Sequence, residues 1–238
     1  MSEPASFAST YGPWAVVLGA SDGVGEAFAE AVAQRGVNVV LVARRQAMLE
    51  TIAERIERET GAQARALAVD LSTPSAADEV IAGTSDVEIG LLMYNAGGDQ
   101  RFKHFLDSSL EDAQGLLHRN CVVPTHLCHH YGTSMVERGR GCIILVTSGA
   151  AVAGTANMAA YGASKAWNRV FAEALWAELG PRGVHVLSLL LGETDTPAIR
   201  KLRADLGNPA DPDAPLPGAV TVAEVIDDAL TYLPDGPG

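Results

Sequence analysis

Short, unbroken runs of apolar residues alternate along the 238-residue chain with longer stretches in which apolar residues recur at helical spacing. Unbroken runs are typical of strands that are buried on both faces of a parallel sheet. In one longer stretch Met48, Ile52 and Ile56 recur every four residues, which places them on one face of a helix. The alternation predicts an α/β fold in three layers, with a doubly wound, mainly parallel sheet covered by helices. The six predicted strands are Trp14–Leu18, Val37–Val42, Ala64–Val69, Ile89–Tyr94, Gly141–Thr147 and Val184–Leu191.

Six helices are predicted between and after these strands. Gly36 is a stop signal for the first helix, and Gly180-Pro181 is a stop signal for the fifth. Because strands and helices alternate without a break in composition, we expect a single domain over residues 1–238. The predicted helices are Gly25–Arg35, Ala47–Glu59, Pro74–Ala82, Leu110–Arg138, Met158–Leu179 and Val222–Leu233.

The segment Asp205–Ala219 departs from this pattern. It contains four prolines and shows no periodicity, which predicts a loop after the last strand. Ligands of open α/β sheets bind outside the carboxyl ends of the strands, so this loop is either a lid over a substrate or an exposed linker. We expect the lid, since long loops without secondary structure in compact domains are usually functional.

Composition limits the class of protein and its location. Apolar residues make up 47% of the chain and charged residues 19%, which excludes disorder. The net charge of -12 repels phosphate backbones, so we expect no nucleic-acid partner. With no signal peptide pattern and no apolar stretch of membrane-spanning length, we expect a soluble cytoplasmic protein without a membrane partner. The histidine-rich residues 126–130 lack further ligands, so we also expect no metal.

A glycine-rich turn, Gly19-Ala20-Ser21-Asp22-Gly23-Val24-Gly25, follows the first predicted strand. Its GxxxGxG spacing differs from GxGxxG, and three glycines alone could form an ordinary turn. Between a strand and a helix, however, glycines let the backbone approach a pyrophosphate at the positive N-terminus of the helix. The turn therefore predicts a dinucleotide site. Its candidate contacts are Gly19, Ser21, Asp22, Gly23, Val24 and Gly25.

The residue after the second strand indicates which dinucleotide is bound. NAD sites place a carboxylate there, about 20 residues past the glycines, to bond the ribose 2′-hydroxyl. Here the strand ends in Val42-Ala43-Arg44-Arg45, and the Arg44 guanidinium suits a 2′-phosphate. The sequence favours NADP(H) over NAD(H), unless Arg44 is only a solvated residue at a helix start. Asp22 opposes NADP(H) by adding negative charge to the turn, although it could instead cap the helix.

Further motifs follow in a fixed order, and together they resemble the short-chain dehydrogenase/reductase family from about Trp14 to Pro197. The resemblance implies a Rossmann fold, a nicotinamide cofactor and oxidoreductase activity on a small-molecule carbonyl or alcohol. Besides the glycine turn, the motifs are Asp70-Leu71 after the third strand, Asn95-Ala96-Gly97 after the fourth, Asn120 in the long helix, Ser148 after the fifth strand, Tyr161-Gly162-Ala163-Ser164-Lys165, and Gly192 with Thr194-Asp195-Thr196-Pro197 after the sixth strand.

The resemblance also implies roles for individual residues. Asn120, Ser148, Tyr161 and Lys165 would form the catalytic set. Tyr161 and Lys165 lie four residues apart and share a helix face. A phenol, with a pKa of about 10, becomes a better acid–base catalyst when a nearby ammonium lowers that pKa. The implied cofactor contacts are Asp70, Leu71, Asn95, Ala96, Gly97, Tyr161, Lys165, Gly192, Thr194 and Thr196.

The chain departs from the family's pattern at several positions. Leu18 replaces the usual Thr before the turn, Tyr94 replaces the first Asn of NNAG, and Leu191 replaces the Pro of a Pro-Gly pair. The first two changes bear on hydrogen bonds that stiffen the cofactor site. The family's usual last strand is missing after Val222–Leu233 or lies outside this sequence. By the same resemblance, the two long helices would form the two-fold interface of a homodimer or homotetramer.

These observations predict an NADP(H)-dependent reductase that acts on a ketone or secondary alcohol. Residues 98–106, Gly149–Met158 and Asp195–Ala219 would form the substrate walls, and small apolar residues at 150–156 favour a bulky apolar substrate. Two alternatives stay open: an NADP-binding regulatory protein without turnover, and a methyltransferase on a similar sheet. The complete catalytic set argues against the first. The lack of an acidic residue after the second strand argues against the second.

Overall fold

The computed structural model describes residues 6–98, 103–208, 211 and 214–236, and their strands form one sheet. The strands are β1 (Trp14–Leu18), β2 (Asn38–Ala43), β3 (Ala64–Ala68), β4 (Ile89–Tyr94), β5 (Gly141–Ser148) and β6 (Val184–Leu191). They are all parallel, in the order β3-β2-β1-β4-β5-β6. The chain winds outward from β1 on one side and from β4 on the other. The sheet therefore has a switch point between β1 and β4, where ligands of doubly wound folds bind.

Helices cover both faces of this sheet. They are α1 (Phe7–Tyr11), α2 (Gly23–Ala33), α3 (Gln46–Thr60), α4 (Ala76–Ala82), α5 (Leu110–Leu117), α6 (Val123–Arg138), α7 (Ala159–Leu179), α8 (Pro197–Asp205) and α9 (Val222–Tyr232). Successive strand side chains alternate between two cores, so Val17 packs with α2, α3 and α9, and Val16 with α4, α6 and α7. None of the helices in the described ranges combines the length and apolar character needed to cross a bilayer.

The fold class predicted from the hydrophobic pattern is confirmed. Strands β1, β4 and β6 have the predicted bounds, β2 begins and ends one residue later, and β5 extends to Ser148. The expected burial on both faces holds for β1 and β4, in which every residue is buried. It is wrong for β3, which lies at the edge of the sheet and has half-buried or exposed residues throughout.

The prediction of a single long helix over Leu110–Arg138 is wrong for the middle of this range. The chain forms α5, then a π-helical segment at His118–Val122, and then α6. Pro124 has no N–H, so it cannot bond the carbonyl of Asn120 four residues earlier, as an α-helix requires. The side chain of Asn168 supplies that donor, with Nδ2 at 3.0 Å from the Asn120 carbonyl oxygen. Pro124 is thus the signal in the sequence for this break.

The sequence did not predict α8, and apart from Asp205, its last residue, the described residues of the predicted loop Asp205–Ala219 follow this helix. Thr196 caps α8 by accepting a hydrogen bond from Ile199 N at 3.3 Å, and Pro197 takes the first helical position. Thr194 forms an isolated parallel bridge with Val220. In the described residues between 192 and 236 there is no seventh strand. Residues 209, 210, 212 and 213 of the predicted lid lie outside the described residues.

Candidate active site

The glycine turn lies at the switch point, against the motif that follows β4. Gly19 has a φ of +82°, and a Cβ there would lie 2.9 Å from the backbone N of Ala96. A Cβ on Gly25 would overlap the Gly19 carbonyl oxygen. Asn95 Nδ2 donates a hydrogen bond to that same oxygen at 3.2 Å. The two motifs therefore interlock, and they leave bare backbone at the N-terminus of α2, which fits a pyrophosphate group.

Asp22 lies at the N-cap position of α2, but its side chain does not cap the helix. Its carboxylate pairs instead with Arg45, whose Nη2 lies 3.2 Å from Asp22 Oδ2 and 3.1 Å from Ser21 Oγ. The interpretation of Asp22 as a cap is therefore wrong. Because Arg45 offsets the negative charge of Asp22, this acid does not by itself exclude an anionic 2′-phosphate beside the turn.

Arg44 lies exposed at the carboxyl end of β2, beside the motif that follows β3. Within that motif Leu71 is buried and Asp70 is exposed. Hydrogen bonds from the Ser72 hydroxyl and N–H hold the pKa of the Asp70 carboxyl below its usual range. The positive charges of Arg44 and Arg119 lower that pKa further. Two arginines therefore add positive charge near Asp70, where the sequence predicts adenosine.

Asn120 is fully buried in the π-helical segment, and its side chain is held on both sides. Its Nδ2 donates to Gly97 O at 3.0 Å and to Ser164 Oγ at 2.9 Å. Its Oδ1 accepts a longer bond from Arg119 Nε at 3.4 Å. Gly97 has a φ of +121°, and a Cβ there would overlap Asn120 Oδ1. The motif after β4 therefore needs its last glycine because Asn120 fills the adjacent space.

Tyr94 explains one departure from the family's pattern. Within the π-helical segment the Val123 N–H bonds to His118 O, and the hydroxyl of Tyr94 donates to the carbonyl of Arg119. Burial raises the pKa of Tyr94 well above its usual range, so the phenol stays a neutral donor. In this chain the tyrosine stabilises the segment that carries Asn120.

Tyr161 and Lys165 share one face of α7, as their spacing predicts. Lys165 Nζ lies 6.0 Å from the centre of the Tyr161 ring and donates to Val146 O at 2.8 Å. Only 3% of Lys165 is exposed. This burial lowers the pKa of its ammonium to about 8, and the positive charge of Arg119 contributes to the shift. The structure thus places a buried titratable cation beside a phenol, an arrangement suited to acid–base chemistry.

Ser148 ends β5, and the turn that follows it packs against α7. The Ser148 Oγ accepts a hydrogen bond from Ala150 N at 3.2 Å. Gly162, next to Tyr161, approaches the same turn so closely that a Cβ there would lie 3.1 Å from Ala150 O. The serine and the tyrosine–lysine motif therefore come together at the carboxyl edge of β5.

The turn after β6 faces the glycine turn. A Cβ on Gly23 would lie 3.2 Å from Thr196 Cγ2. Thr194 is buried, and its Oγ1 donates to Gly192 O at 3.3 Å. The turn that the sequence predicts at the pyrophosphate and the turn after β6, which holds implied cofactor contacts, therefore lie next to each other.

Four residues of this arrangement were not among the sequence candidates: Arg45, Arg119, Ser164 and Asn168. Ser164 Oγ accepts from Asn120 and donates to Tyr161 O at 2.7 Å. Ser164 lies inside the tyrosine–lysine motif and Arg45 inside the basic pair after β2, so the sequence shows both residues without their contacts. Asn168 follows Ser164 by four residues on the same helix face, and this spacing is the signal that identifies it.

The histidine-rich residues 126–130 lie on α6. Within the part of the chain that the structure describes, no group of three or more His, Cys, Asp or Glu side chains could hold a metal ion. Cys128 is buried in this helix, whereas the histidines at 126, 129 and 130 point to solvent.

A family model for short chain dehydrogenases matches residues 13–207, the stretch that holds all the motifs described above. The chain belongs to the short-chain dehydrogenase family. The resemblance inferred from the ordered motifs is confirmed. As a member of this family the chain is an oxidoreductase that binds a nicotinamide cofactor and acts on a small molecule.

Other short-chain dehydrogenases are similar over almost the whole chain. The 7beta-hydroxysteroid dehydrogenase of Collinsella aerofaciens is 33% identical over 223 residues, which cover 94% of this chain and 83% of the relative. A solved structure from a study of 7beta-hydroxysteroid dehydrogenase stereoselectivity has a TM-score of 0.86 at 30% identity, covering 96% of this chain and 87% of the other. The short-chain dehydrogenase from Sphingobium yanoikuyae in complex with NADPH has a TM-score of 0.81 at 32% identity. The match covers 92% of this chain and 84% of the other.

Proposed function

We propose that this short-chain dehydrogenase transfers a hydride between NADP(H) and a ketone or secondary alcohol, with Asn120, Ser148, Tyr161 and Lys165 as its catalytic set. The observation that carries the proposal is the buried ammonium of Lys165 beside the Tyr161 ring. A phenol next to such a cation can exchange a proton with a carbonyl oxygen. A protein that only binds the cofactor has no need of this donor.

The chain's own residues move the proton and orient the carbonyl. In the reducing direction Tyr161 Oη donates its proton to the substrate oxygen. Ser148 donates a hydrogen bond to the same oxygen, since its Oγ only accepts in the bond with Ala150 N. Lys165 stabilises the phenolate left on Tyr161, and Asn120 holds a water that connects Lys165 to solvent. The nicotinamide cofactor, when bound, supplies the hydride.

Charge at the adenosine end supports NADP(H) over NAD(H). Arg44 is exposed at the end of β2, and Arg45 offsets the negative charge of Asp22. A similar short-chain dehydrogenase, that of Sphingobium yanoikuyae, was solved in complex with NADPH. The proposed cofactor contacts are Gly19, Ser21, Asp22, Gly23, Val24, Gly25, Arg44, Asp70, Leu71, Asn95, Ala96, Gly97, Tyr161, Lys165, Gly192, Thr194 and Thr196.

Apolar side chains at the carboxyl edge of the sheet support a bulky apolar substrate. Leu106, which follows β4, is 90% exposed, Val152, which follows β5, is 64% exposed, and Leu206, which follows α8, is 55% exposed. Exposed apolar side chains near a site are typical of ligand-binding surfaces. The name of the Collinsella aerofaciens relative points to a steroid, which is a substrate of this class. Residues 99–102 of the predicted substrate wall lie outside the described residues.

Separate titrations with NADPH and with NADH test the cofactor part of the proposal. Cofactor fluorescence and the shift of the unfolding temperature report binding to the purified protein. We expect tighter binding of NADPH, because only NADPH carries the 2′-phosphate. Equal or tighter binding of NADH would overturn the assignment of NADP(H).

A panel of ketones tests turnover once binding is established. We expect consumption of NADPH with steroid ketones or other ring ketones, and little with small polar ketones. Tight NADPH binding without turnover on any member of the panel would favour the regulatory alternative instead.

We also propose that the protein forms a homodimer or homotetramer through the predicted long helices Leu110–Arg138 and Met158–Leu179, which correspond to α5, α6 and α7. Exposed apolar residues of α7 include Val170, which is 63% exposed, and Trp176, which is 43% exposed. Burying such residues between two copies of a helix pair stabilises a two-fold interface. Light scattering on the purified protein tests this proposal, and a mass of one chain would overturn it.

A further inference from the structure

The turn after β6 and the loop after α8 are tied together by one arginine. Arg200 donates from Nε to Asp195 Oδ1 at 2.7 Å and from Nη2 to Asp195 Oδ2 at 2.9 Å. Its Nη1 also donates to Asp211 O at 2.8 Å, and its Nη2 to Ala214 O at 2.7 Å. A single guanidinium on α8 therefore bonds a carboxylate on one side and two loop carbonyls on the other.

Asp195 adds contacts of its own to the end of the same loop. Its Oδ2 accepts a hydrogen bond from Leu216 N at 3.2 Å, and its backbone N donates to Val220 O at 2.9 Å. Leu216 is buried, with only 3% of its surface exposed. The Asp195–Arg200 pair thus connects the turn at residue 195 with residues 216–220, where the chain returns to this turn.

This ion pair differs from ordinary surface pairs on the same helix. The side chains of Arg200 and Asp195 are only 27% and 15% exposed. Hydrogen bonds from Arg200 and Leu216 hold the pKa of the Asp195 carboxyl below its usual range. The neighbouring pair of Lys201 and Asp205 is 67% and 58% exposed and makes one contact of 3.0 Å. Exposed pairs of that kind contribute little to stability, whereas bidentate arginine pairs fix geometry.

The same aspartate lies between two of the proposed cofactor contacts. Thr194 and Thr196 flank Asp195 in the chain, and Thr196 Cγ2 approaches Gly23 of the glycine turn. We propose that the Asp195–Arg200 pair couples the proposed cofactor contacts to residues 214–220, so that ordering of the Thr194–Thr196 turn is transmitted to these residues. This inference rests on the proposed function, because it takes the turn to contact the cofactor and the loop to contact the substrate. Arg200 is then a positioning residue, since it acts through Asp195.

Hydrogen exchange of the full-length protein, with and without NADPH, tests the coupling. In the wild-type protein we expect NADPH to slow amide exchange in residues 214–220 by about tenfold, the effect of one charge-assisted hydrogen bond. In Arg200→Gln this slowing should disappear, while NADPH still binds with a Kd within about threefold of wild type. Arg200→Lys should behave like Arg200→Gln, because an ammonium cannot bond the carboxylate and two carbonyls in this planar arrangement. Lys201→Gln, which removes the exposed neighbouring pair, should behave like the wild type.

Steady-state kinetics tells whether Arg200 couples the two sites or only stabilises the fold. The KM for the ketone should rise about tenfold in Arg200→Gln with kcat less affected, because residues 214–220 are then held less firmly beside a bound substrate. The unfolding temperature shows whether Arg200→Gln folds. If it does not, the exchange and kinetics of Arg200→Lys test the coupling instead. NADPH-dependent slowing that persists in both Arg200 variants would overturn the coupling alone. A wild-type protein that binds no NADPH would overturn the proposed function together with the coupling.

Discussion

The side-chain amide of Asn120 donates a hydrogen bond to Ser164 Oγ at 2.9 Å, and this bond joins the π-helical segment to the helix that carries the tyrosine–lysine motif. Ser164 in turn donates to the carbonyl of Tyr161. The side chains of Asn120 and Ser164 are both fully buried. Buried polar groups that satisfy one another in this way fix a single geometry, and leaving one of them unpaired costs about 1–3 kcal/mol. The positions of Asn120 and Tyr161 are therefore set together.

Gly97→Ala tests whether Asn120 needs the space beside Gly97. A Cβ at this position would overlap Asn120 Oδ1, and the residue has a φ of +121°. We expect a loss of stability of about 1–3 kcal/mol and a large loss of turnover, because Asn120 and then Ser164 must move. Urea unfolding and ketone reduction by the purified variant measure the two effects.

Gly98→Ala is the matched control for this substitution. Among the described residues other than its chain neighbours, no heavy atom would lie within 4 Å of a Cβ on Gly98. We expect its stability to stay close to that of the wild type, and because Gly98 begins the predicted substrate wall, urea unfolding is the readout that compares the two variants. Equal damage from both alanines would show that chain stiffness after β4, rather than contact with Asn120, is what matters.

Arg44→Asp tests the assignment of the 2′-phosphate. A carboxylate at this exposed position repels the phosphate and can bond a ribose hydroxyl instead. We expect the Kd for NADPH to rise by at least about tenfold, with little change for NADH. Parallel titrations with the two cofactors measure this shift in preference.

Arg58→Asp makes the same charge change near the far end of α3, where Arg58 is 68% exposed and pairs only with the adjacent Glu59 among the ion pairs described. It should leave the preference for NADPH unchanged. An unaltered preference in Arg44→Asp as well would mean that another group contacts the phosphate. Arg45, whose Nη2 lies 3.2 Å from Asp22 Oδ2, would then be the next residue to substitute in search of that group.

The buried ammonium of Lys165 predicts an unusual dependence of stability on pH. Burial lowers its pKa to about 8, whereas an unfolded lysine has a pKa of about 10.4. Below pH ~8 both states bind the proton, and the cost of burying the charge is fully present. Between pH ~8 and ~10 the unfolded chain binds more protons than the folded chain, so the free energy of unfolding rises with pH.

Lys165→Met removes this titration. Relative to that variant, we expect the free energy of unfolding of the cofactor-free wild type to rise by on the order of 2 kcal/mol between pH ~8 and ~10. Urea unfolding of both proteins at several pH values measures this difference. Subtracting the two curves removes the pH dependence of the titratable groups that both proteins share. The exposed Lys201→Met should follow the wild type. A difference between wild type and Lys165→Met that stays constant with pH would contradict a depressed pKa at Lys165.

Most of the fold is predictable because its signals are local. Each central strand is an unbroken apolar run, so Trp14–Leu18 and Ile89–Tyr94 have the same bounds in the sequence and in the structure. Parallel strands then bring their carboxyl ends to one edge, which is why the motifs after β1, β4, β5 and β6 meet. The π-helical segment was missed because helical periodicity alone does not register the N–H that Pro124 lacks.

Contacts between distant side chains are what the sequence does not predict. Arg45 follows Arg44 directly, yet it pairs with Asp22, 23 residues earlier in the chain. Asp195 was part of a recognised motif, but nothing in the spacing indicates its bond with Arg200 or the position of Leu216. Such pairs depend on the backbone path after β6. That path becomes visible only when the tertiary structure is known.

The central claim is that Tyr161 donates the proton in a reaction that uses NADPH. The measurement that tests it most directly is the rate of NADPH consumption with a ring ketone by Tyr161→Phe, beside the Kd of the same variant for NADPH. We expect turnover to fall by about 10²–10⁴-fold, the contribution of a positioned acid, with the Kd within about twofold of wild type. Turnover close to that of the wild type would contradict the account, because the phenol would then not be the proton donor.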